Sequence, residues 1–364
     1  MRGFLLVVGV LGGCGRIAFE PRDDAGGPGV VGDAPDTDAA SDAATLAPNR
    51  AFVTSIAYTA NLGGLAGADA RCQERADAAL RGGTFVALLR TTAEPAFDRL
   101  AGFRGWVDLR GRPIVDLPMD WVGGLIYPLN IDETGAMIAG SEPVFRGRAE
   151  VNSTCADWTS ASAISLYERV ATAEAMTSES FINCMFPARL ACVERRVDVA
   201  ISPPQETGRL AFLSQGQWTS SGGLASADAF CQGEATGAGL PGTYRAVLHS
   251  SGGPPTSRFA MTGAPWRRVD GPRLAPTTAA VFAQSQDLDT FPVRTAGGAV
   301  ATTNGVALQV ARGTPAEHCT DWTATTGDLR QATAASVLAG AFQGEESTRS
   351  STCGFVQRLV CFQE

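Results

Sequence analysis

The chain has 364 residues, which is enough for about two domains of ordinary size and a remainder. Hydrophobic residues make up 45% and charged residues 18%, values near the globular average, which excludes wholesale disorder, collagen and a long coiled coil. All 29 basic residues are arginine, and with 37 acidic residues the net charge is -8. This balance, with no concentrated basic run in the sequence, argues against a nucleic-acid-binding protein.

The first 13 residues are typical of a secretory signal peptide. Arg2 supplies the positive end, and the apolar run at residues 4–11 is too short to span a bilayer core of about 30 Å. The run leads into Leu11-Gly12-Gly13-Cys14, which resembles the lipobox of bacterial lipoproteins, so we expect cleavage before Cys14 and acylation of that residue. The mature chain is then tethered to a membrane by lipid. The alternative is an ordinary signal peptide followed by an unrelated cysteine.

Residues 14–48 are predicted to form a disordered acidic linker. They are rich in Asp, Ala, Gly and Pro, and residues 16–48 carry two arginines against seven acidic residues, a net charge of -5. Charge repulsion extends such a linker and holds the folded part away from a membrane. Gly15 follows Cys14 where an aspartate would signal inner-membrane retention in enterobacteria, so we expect an exported protein of the outer membrane or cell surface.

The rest of the chain matches itself. The segment at residues 61–73 (NLGGLAGADARCQ) matches residues 220–232 (SSGGLASADAFCQ), and CADWT at residues 155–159 matches CTDWT at residues 319–323. The order of the matches is kept while their offset grows slowly, as loop insertions in a duplicated domain produce.

We assign the two copies of this domain to residues 49–196 and 209–364. Between them, residues 197–208 contain Ser202-Pro203-Pro204 and are predicted to be a short, stiff linker.

Each copy is predicted to begin with a strand, a cysteine-bearing helix and a second strand. In the first helix Ala68, Cys72 and Ala76 recur every four residues along one face, so the cysteine should face the core. A long Gly-rich and Pro-rich middle with little periodicity predicts a loop-dominated region, and a cysteine-bearing strand closes each copy. The predicted elements are residues 50–58, 65–80, 84–90 and 188–194 in the first copy, and 209–214, 224–235, 243–249 and 357–363 in the second.

The nine cysteines divide into one at the lipobox and four in each copy. In an exported protein, an even number at repeated spacing indicates a disulfide framework. A zinc site is the rival, but no CxxC pair occurs and the two histidines, His249 and His318, do not recur between copies. Four cysteines allow three pairings, among which these residues alone do not decide.

The order of strand, cysteine-bearing helix, strand, long loop region, cysteine and C-x7-C resembles the C-type-lectin-like fold. More closely, the runs NLGGLAGADARCQ, CADWT and ARLACVE resemble a bacterial domain of unknown function found in surface lipoproteins of spirochaetes and other bacteria, similar to the endostatin branch of that fold. The resemblance covers both copies and implies an α+β protein with two tandem C-type-lectin-like domains, which bind through the long loop region and have no known reaction. It also implies a nested disulfide pairing, Cys72 with Cys192, Cys155 with Cys184, Cys231 with Cys361, and Cys319 with Cys353.

One departure from the lectin pattern bears on metal binding. Calcium-dependent sugar-binding lectins carry Glu-Pro-Asn or Gln-Pro-Asp in the long loop and Trp-Asn-Asp before the third cysteine. The nearest strings here are Glu142-Pro143-Val144 and residues 180–183 in the first copy and residues 349–352 in the second, which lack the side-chain oxygens of a calcium cage. We therefore expect no metal and no cofactor.

The candidate binding residues are aromatic, because aromatic side chains dominate binding hot spots. The repeated Asp-Trp pairs could form a sugar-stacking platform, although we favour a tryptophan that packs beside the inner disulfide and an aspartate that caps a turn. The candidates are Trp106, Trp121 and Trp266 from the loop region, and the pairs Asp157 with Trp158 and Asp321 with Trp322.

A catalytic function would need a base and a nucleophile within reach of each other. His249 lies beside Ser250 and Ser251, but Arg90 occupies the matching position of the first copy, which excludes a duplicated active site. Two acidic pairs could serve as glycosidase carboxylates, although we favour solvated loop charge. These pairs are Asp132 with Glu133, and Asp287 with Asp289.

The sequence therefore predicts a membrane-anchored extracellular lipoprotein, not an enzyme, with two modules that bind a glycan or protein ligand without calcium. Two copies on one tether would raise avidity for an extended ligand. The alternatives are an exported hydrolase that uses loop carboxylates or His249, and a purely structural envelope protein.

Overall fold

The structure is a computed structural model that describes most of both copies. The described residues are 46–138, 142–145, 154–162, 164–169, 180–282, 288–301, 307–308, 319–333, 348–354, 356 and 358–364. The predicted signal peptide, Cys14, the linker up to residue 45 and Asp287 lie outside these residues.

The first copy combines short strands with one long helix. Its elements are β1 (Asn49–Val53), α1 (Gly64–Ala78), β2 (Phe85–Ala87), β3 (Trp106–Asp108), β4 (Pro113–Val115), α2 (Asp120–Gly123), β5 (Pro143–Phe145), α3 (Cys155–Trp158), β6 (Ile164–Arg169), β7 (Ser180–Asn183) and β8 (Ala191–Glu194). A 3-10 turn at Asp98–Leu100 lies between β2 and β3.

The second copy repeats this order, except that its described residues contain no strand matching β4. Its elements are β9 (Arg209–Leu213), α4 (Gly223–Gly237), β10 (Tyr244–Ala246), β11 (Trp266–Arg268), α5 (Thr278–Val281), β12 (Ala307–Leu308), α6 (Cys319–Trp322), β13 (Asp328–Thr333), β14 (Thr348–Thr352) and β15 (Val360–Gln363). A 3-10 turn at Pro255–Arg258 precedes β11. The fold is thus mixed α+β, as predicted.

Each copy builds its own main sheet around its last strand. The orders are β2-β8-β1-β3-β4 in the first copy and β10-β15-β9-β11 in the second. In both, the first strand runs parallel to the strand that bears the tryptophan, with Asn49 opposite Trp106 and Arg209 opposite Trp266, while the last strand pairs antiparallel on both sides. A smaller antiparallel sheet, β5-β6-β7 or β12-β13-β14, accompanies each main sheet.

The long helix of each copy closes the free edge of its main sheet. Asp69 accepts a hydrogen bond from the backbone N–H of Ala87 (2.9 Å), and Gln73 accepts one from that of Phe85 (2.9 Å). Asp228 and Gln232 do the same for Ala246 and Tyr244 at 3.0 and 2.9 Å. The repeated A-D-x-x-C-Q pattern therefore satisfies the exposed donors of an edge strand, which would otherwise be open to pairing with another chain.

The four disulfides follow the nested pairing that the resemblance implied. The outer bonds, Cys72–Cys192 and Cys231–Cys361, join the long helix to the last strand. The inner bonds, Cys155–Cys184 and Cys319–Cys353, lie along the chain within the intervals that the outer bonds close. All eight cysteines are at most 1% exposed. The first helix buries Ala68, Cys72 and Ala76, so the predicted core face is confirmed.

The segment between the copies is bonded to both of them. Val197 accepts a hydrogen bond from the N–H of Arg104 in the first copy (3.1 Å), and the Glu206 N–H donates to Gly271 of the second copy (3.3 Å). Gly105 and Gly271 allow this close approach: a Cβ atom on Gly105 would lie 1.9 Å from the Val199 carbonyl oxygen. The segment is therefore packed along much of its length.

Several predicted elements differ from the observed ones. The first strand ends at Val53: the Thr54 N–H still donates to the Leu190 carbonyl at 2.9 Å, but the Thr54 hydroxyl donates to the Ile56 carbonyl at 2.7 Å as the chain turns. The middle predicted as loop-dominated contains β3, β4 and the small sheet, whose strands of three to six residues are too short to give a clear alternating pattern. The last strand of the second copy begins at Val360, not at residue 357.

We expect Asp69→Ala to destabilise the first copy by about 2 kcal/mol. The substitution removes the acceptor for the Ala87 N–H and also the ion pair with Arg99 (2.5 Å), whose side chain is only 10% exposed. The measurement is the urea dependence of unfolding. The matched control is Glu74→Ala on the same helix, since the Glu74 side chain is exposed and, among the described residues, pairs only with the exposed Arg71. Equal effects of the two substitutions would contradict the edge-closing role.

Candidate functional site

The cysteine of each CxDWT motif begins a left-handed helical turn. The φ angles of Cys155, Ala156, Asp157 and Trp158 are 51°, 52°, 51° and 67°, and residues 319–322 repeat them within a few degrees. Four consecutive non-glycine residues in this region cost about 1–2 kcal/mol each. Because both copies keep the same costly conformation, it must be held by specific contacts.

Those contacts come from the aspartate and the tryptophan of the motif. Asp157 accepts hydrogen bonds from the backbone N–H and the hydroxyl of Thr92, both at 2.8 Å. The indole N–H of Trp158 donates to the Arg90 carbonyl at 2.7 Å. The motif thus clamps the loop that follows β2 against the inner disulfide.

The second copy makes the same clamp with different side chains. Asp321 accepts from the N–H of Ser251 at 2.7 Å and from its hydroxyl, and the Trp322 indole donates to the His249 carbonyl at 2.7 Å. Serine replaces the threonine of the first copy, but the hydroxyl and the backbone donor are retained. The clamp is therefore a property of the duplicated fold.

The carboxylate of Asp157 is held in its ionised form. Desolvation opposes its ionisation, but hydrogen bonds from Thr92 and Thr154 outweigh this effect and lower the pKa of Asp157. Beside the first turn, Thr92, Thr159 and Ser162 are exposed, and beside the second turn Ser251, Thr323 and Thr325 are exposed. We call each of these two sets a rim of hydroxyl groups, the kind of surface that hydrogen-bonds a polar ligand.

The tryptophans that the sequence marked as binding candidates are all in the core. Trp158 and Trp322 are fully buried among the inner-disulfide cysteines, in agreement with the packing interpretation. Trp106, Trp121 and Trp266 are at most 1% exposed. None of the five rings offers a free face to a ligand in this structure.

The tryptophans of the two parallel strands are fixed in equivalent ways. The Trp106 indole donates to the Glu194 carbonyl at 2.9 Å, and that of Trp266 donates to the Gln363 carbonyl at 2.8 Å. Each indole thus ties its strand to the end of the last strand. A tryptophan at this position therefore stabilises the main sheet. Spacing in the sequence did not predict this structural role.

The acidic residues considered as glycosidase carboxylates are engaged in structure. Glu133 is fully buried and pairs with Arg75, and it also accepts from the Ser55 N–H at 2.8 Å. Asp132 accepts from the N–H groups of Thr134 and Ala136, both at 2.9 Å, and so shapes a turn. Asp289 pairs with Arg273 at 2.9 Å. For Asp132, Glu133 and Asp289, these contacts correct the interpretation as solvated loop charge, while Asp287 lies outside the described residues.

His249 lies half-buried beside the second CxDWT turn. Burial lowers its pKa, which Ser250 and Asp321 partly offset. Among the described residues, no group of three His, Cys, Asp or Glu side chains is arranged to hold a metal ion.

Arg268 of the second copy is the central contact between the two copies. Its side chain is fully buried, and its Nη1 donates to the carbonyl oxygens of Leu125 (3.2 Å) and Ile126 (2.8 Å) in the first copy. The other side of its guanidinium pairs with Asp270, with Nε to Oδ1 at 2.7 Å. The loop regions of the two copies are therefore in direct contact.

Other groups complete this interface. Thr290 donates to the Ile126 carbonyl at 3.4 Å, and Val300 lies close enough to Gly124 that a Cβ atom there would approach it to 3.0 Å. Arg294 adds a second ion pair to Asp270 at 3.1 Å. Desolvation of Asp270 opposes its ionisation, but bonds and attraction from Arg268 and Arg294 lower its pKa.

The sequence does not predict this interface, although it contains one signal of it. The first copy has Asp108 two residues after its strand tryptophan, and the second copy has Arg268 there. Such a reversal of charge at a matched core position indicates that the two side chains have different partners in the two copies. Asp108 instead binds Arg112 within its own copy, at 2.7 Å.

The fold and these contacts define a mixed α+β protein of two disulfide-stapled copies joined through their loop regions. In the part of the chain that the structure describes, no helix is long and apolar enough to cross a membrane. Comparison of the sequence with known protein families gave no match, and a search of curated proteins also gave none.

We expect Ala156→Gly to stabilise the protein by about 1 kcal/mol, because glycine adopts a positive φ without the clash of a Cβ atom. Urea unfolding of the variant measures this. Ala70→Gly, at an exposed position within α1, is the control and should cost about 1 kcal/mol, since φ is negative there. If Ala156→Gly and Ala70→Gly changed the free energy of unfolding in the same direction, the left-handed turn would be contradicted.

We expect the contact between the copies to weaken in acid. A lowered pKa for Asp270 means that its stabilisation is complete above the ordinary aspartate range, about 4, and is lost as the pH falls through its pKa in the folded protein. Asp270→Asn should lower the melting temperature at neutral pH and flatten its dependence on pH below about 4. Asp289→Asn, which removes the more exposed pair with Arg273, is the control with a smaller effect. Identical pH profiles for Asp270→Asn and the unsubstituted protein would refute the assignment.

Proposed function

We propose that this chain is a lipid-anchored extracellular protein whose two C-type-lectin-like domains, residues 49–196 and 209–364, bind a glycan or protein ligand without calcium. The anchor is Cys14, and the linker to residue 48 joins it to the domains at the outer membrane or cell surface. The observation that carries the proposal is the duplicated, doubly disulfide-stapled fold, which suits an oxidising compartment.

The surface that best supports binding is the rim of hydroxyl groups at each CxDWT turn. The rim is anchored by a buried tryptophan and a disulfide, so its hydrogen-bonding groups are held in place before a ligand arrives, which lowers the entropic cost of binding. The contact through Arg268 fixes one copy relative to the other at this interface. An extended ligand would therefore meet two rims at a set spacing rather than two independently moving modules.

One observation favours a second candidate, a purely structural envelope protein. The loop regions, which the resemblance implies as the binding surface, contact each other through Arg268, Thr290 and Val300. A protein whose loops serve mainly to join its own copies needs no external ligand. The binding candidate predicts that the protein captures an external ligand, and the structural candidate predicts that it does not.

The first test concerns the anchor and the second the ligand. Cys14→Ser should abolish incorporation of labelled fatty acid and move the protein out of the membrane fraction. The full chain should then be probed against arrays of glycans and of extracellular matrix proteins, in calcium and in a chelator. We expect capture that the chelator does not affect.

Capture lost on chelation would contradict calcium-independent binding. Absence of capture on every array, with acylation intact, would favour the structural candidate. A matched pair of variants locates the surface: Thr92→Val alters the rim and should weaken capture, whereas Thr207→Val, at an exposed position in the segment between the copies, should not.

A further inference from the structure

Four arginines form a connected row on the surface of the first copy. We call Arg196, Arg50, Arg81 and Arg110 the arginine row. Arg196 and Arg50 both donate to Oε1 of Glu194, at 3.2 and 2.9 Å. The guanidinium of Arg50 also donates to the Arg81 carbonyl, which places the next member beside it.

The other end of the row lies on the turn at Gly135. Arg81 donates from Nε to the Glu133 carbonyl at 2.7 Å, and its Nη2 would be 3.9 Å from a Cβ atom on Gly135. Arg110 donates from Nε and Nη2 to the Gly135 carbonyl at 3.2 and 3.1 Å. Two guanidinium groups thus converge on one turn, and among the described residues neither forms an ion pair.

The acidic groups near the row do not neutralise its outer surface. Glu194 is fully buried beneath Arg50 and Arg196, and the buried Glu133 is already paired with Arg75. Asp108, which accepts from the Arg110 N–H at 2.8 Å, and Asp132, which shapes the turn at Gly135, are both buried. Asp77 is an exposed carboxylate near the row; it accepts from Gln73, which also donates to the Gly83 carbonyl. Positive charge therefore faces water while most of the compensating negative charge lies inside.

The second copy lacks the two arginines at the Gly135 end of the row. Where the first copy has Arg81 and Arg110, the second has Leu240 and Asp270, and Gln363 replaces Glu194. Arg50 has a counterpart in Arg209, whose guanidinium lies 3.7 Å from the centre of the Trp266 ring. The second copy thus forms the four strands that the two main sheets share without arginine at the positions of Arg81 and Arg110, so these strands do not require those two side chains.

The chemistry of the row suits phosphate groups presented on a flat surface. Guanidinium groups bind phosphate oxygens through paired N–H donors. Two aromatic rings near the row already face guanidinium groups: Arg50 lies 5.3 Å from the centre of the buried Phe85 ring, and Arg195 lies 5.2 Å from that of the half-buried Phe103. This disfavours base stacking on these two rings, and with it single-stranded nucleic acid.

The row also lies where the chain enters the first copy. Arg196 donates to the carbonyl oxygens of Ala47 and Pro48 at 2.7 and 3.2 Å. These residues follow directly on the segment that begins at Cys14, so the row is at the part of the folded protein closest along the chain to the predicted anchor. A segment of this length reaches at most about 110 Å when extended and also permits close approach to the membrane.

We propose that the arginine row binds the phosphate groups of anionic lipid headgroups and docks the first copy on the membrane that the lipid anchor selects. This assignment rests on the proposed function. In this proposal the row binds lipid phosphate, and the rims of hydroxyl groups bind the glycan or protein ligand. Each guanidinium at an anionic surface strengthens membrane binding about fivefold.

The test uses the full chain with Cys14→Ser, so that acylation does not mask the row. Cosedimentation is measured with vesicles of phosphatidylcholine alone and of phosphatidylcholine mixed with phosphatidylglycerol, over a range of salt. Arg81→Gln with Arg110→Gln should weaken the phosphatidylglycerol-dependent binding about twenty-five-fold, and Arg110→Gln alone, at an exposed site, about fivefold. High salt should remove the same component.

The control carries Arg71→Gln and Arg245→Gln, which remove the same charge from exposed side chains paired with Glu74 and Glu364. It should bind vesicles as the unsubstituted chain does. Near-ultraviolet circular dichroism and the melting temperature show that each variant is folded.

Equal binding to both kinds of vesicle, or equal loss in the control, would overturn the proposal. Displacement by inorganic phosphate at the same phosphate concentration would assign the row to free phosphate instead, and preferential binding of single-stranded DNA would assign it to nucleic acid. Vesicle binding tests the role of the arginine row, whereas acylation at Cys14 and capture on the arrays test the proposed function. A negative result for one proposal is therefore distinguishable from a negative result for the other.

Discussion

The outer disulfide is the constraint on which the rest of each copy depends. Cys72–Cys192 fastens the long helix to the last strand, which is paired on both sides and lies inside the sheet. It closes an interval of 120 residues, which in the loop-entropy model stabilises the fold by about 4–5 kcal/mol. With the helix held there, Asp69 and Gln73 reach the edge strand, and the long chain between the cysteines can build loops and a small sheet on a fixed base.

Duplication has produced two copies with the same framework and different surfaces. Positions that carry exposed charge in the first copy are used by the second for internal contacts: Asp270, which matches Arg110, pairs with Arg268 and Arg294. The energetic cost of burying the Arg268 guanidinium is offset because carbonyl oxygens and a carboxylate accept its hydrogen bonds. The framework thus tolerates charge changes that give one copy a basic surface row and the other a contact with its sibling.

Features that depend on local or repeated patterns were predictable. The A-D-x-x-C-Q run indicated a helix with its cysteine inward, and the CxDWT motif indicated a tryptophan packed beside the inner disulfide. The bond from Thr92 to the aspartate of that motif was not predictable, since Thr92 lies 65 residues away. The role of Trp106 was not predictable, because its partner, the carbonyl of Glu194, is 88 residues away. The arginine row was hidden for the same reason: its members are spread from residue 50 to residue 196, and only the sheet and the turn at Gly135 bring them together.

The sequence by itself determined the duplication, the even set of cysteines in each copy and the mixed α+β character, because these follow from composition and spacing along the chain. Only the tertiary structure decided which charges are exposed and which are buried. Glu133 and Arg268 belong to the residue types usually found on surfaces, yet both are fully buried, since partners distant in the chain satisfy them. Burial depends on packing between segments, and a one-dimensional pattern does not contain that information.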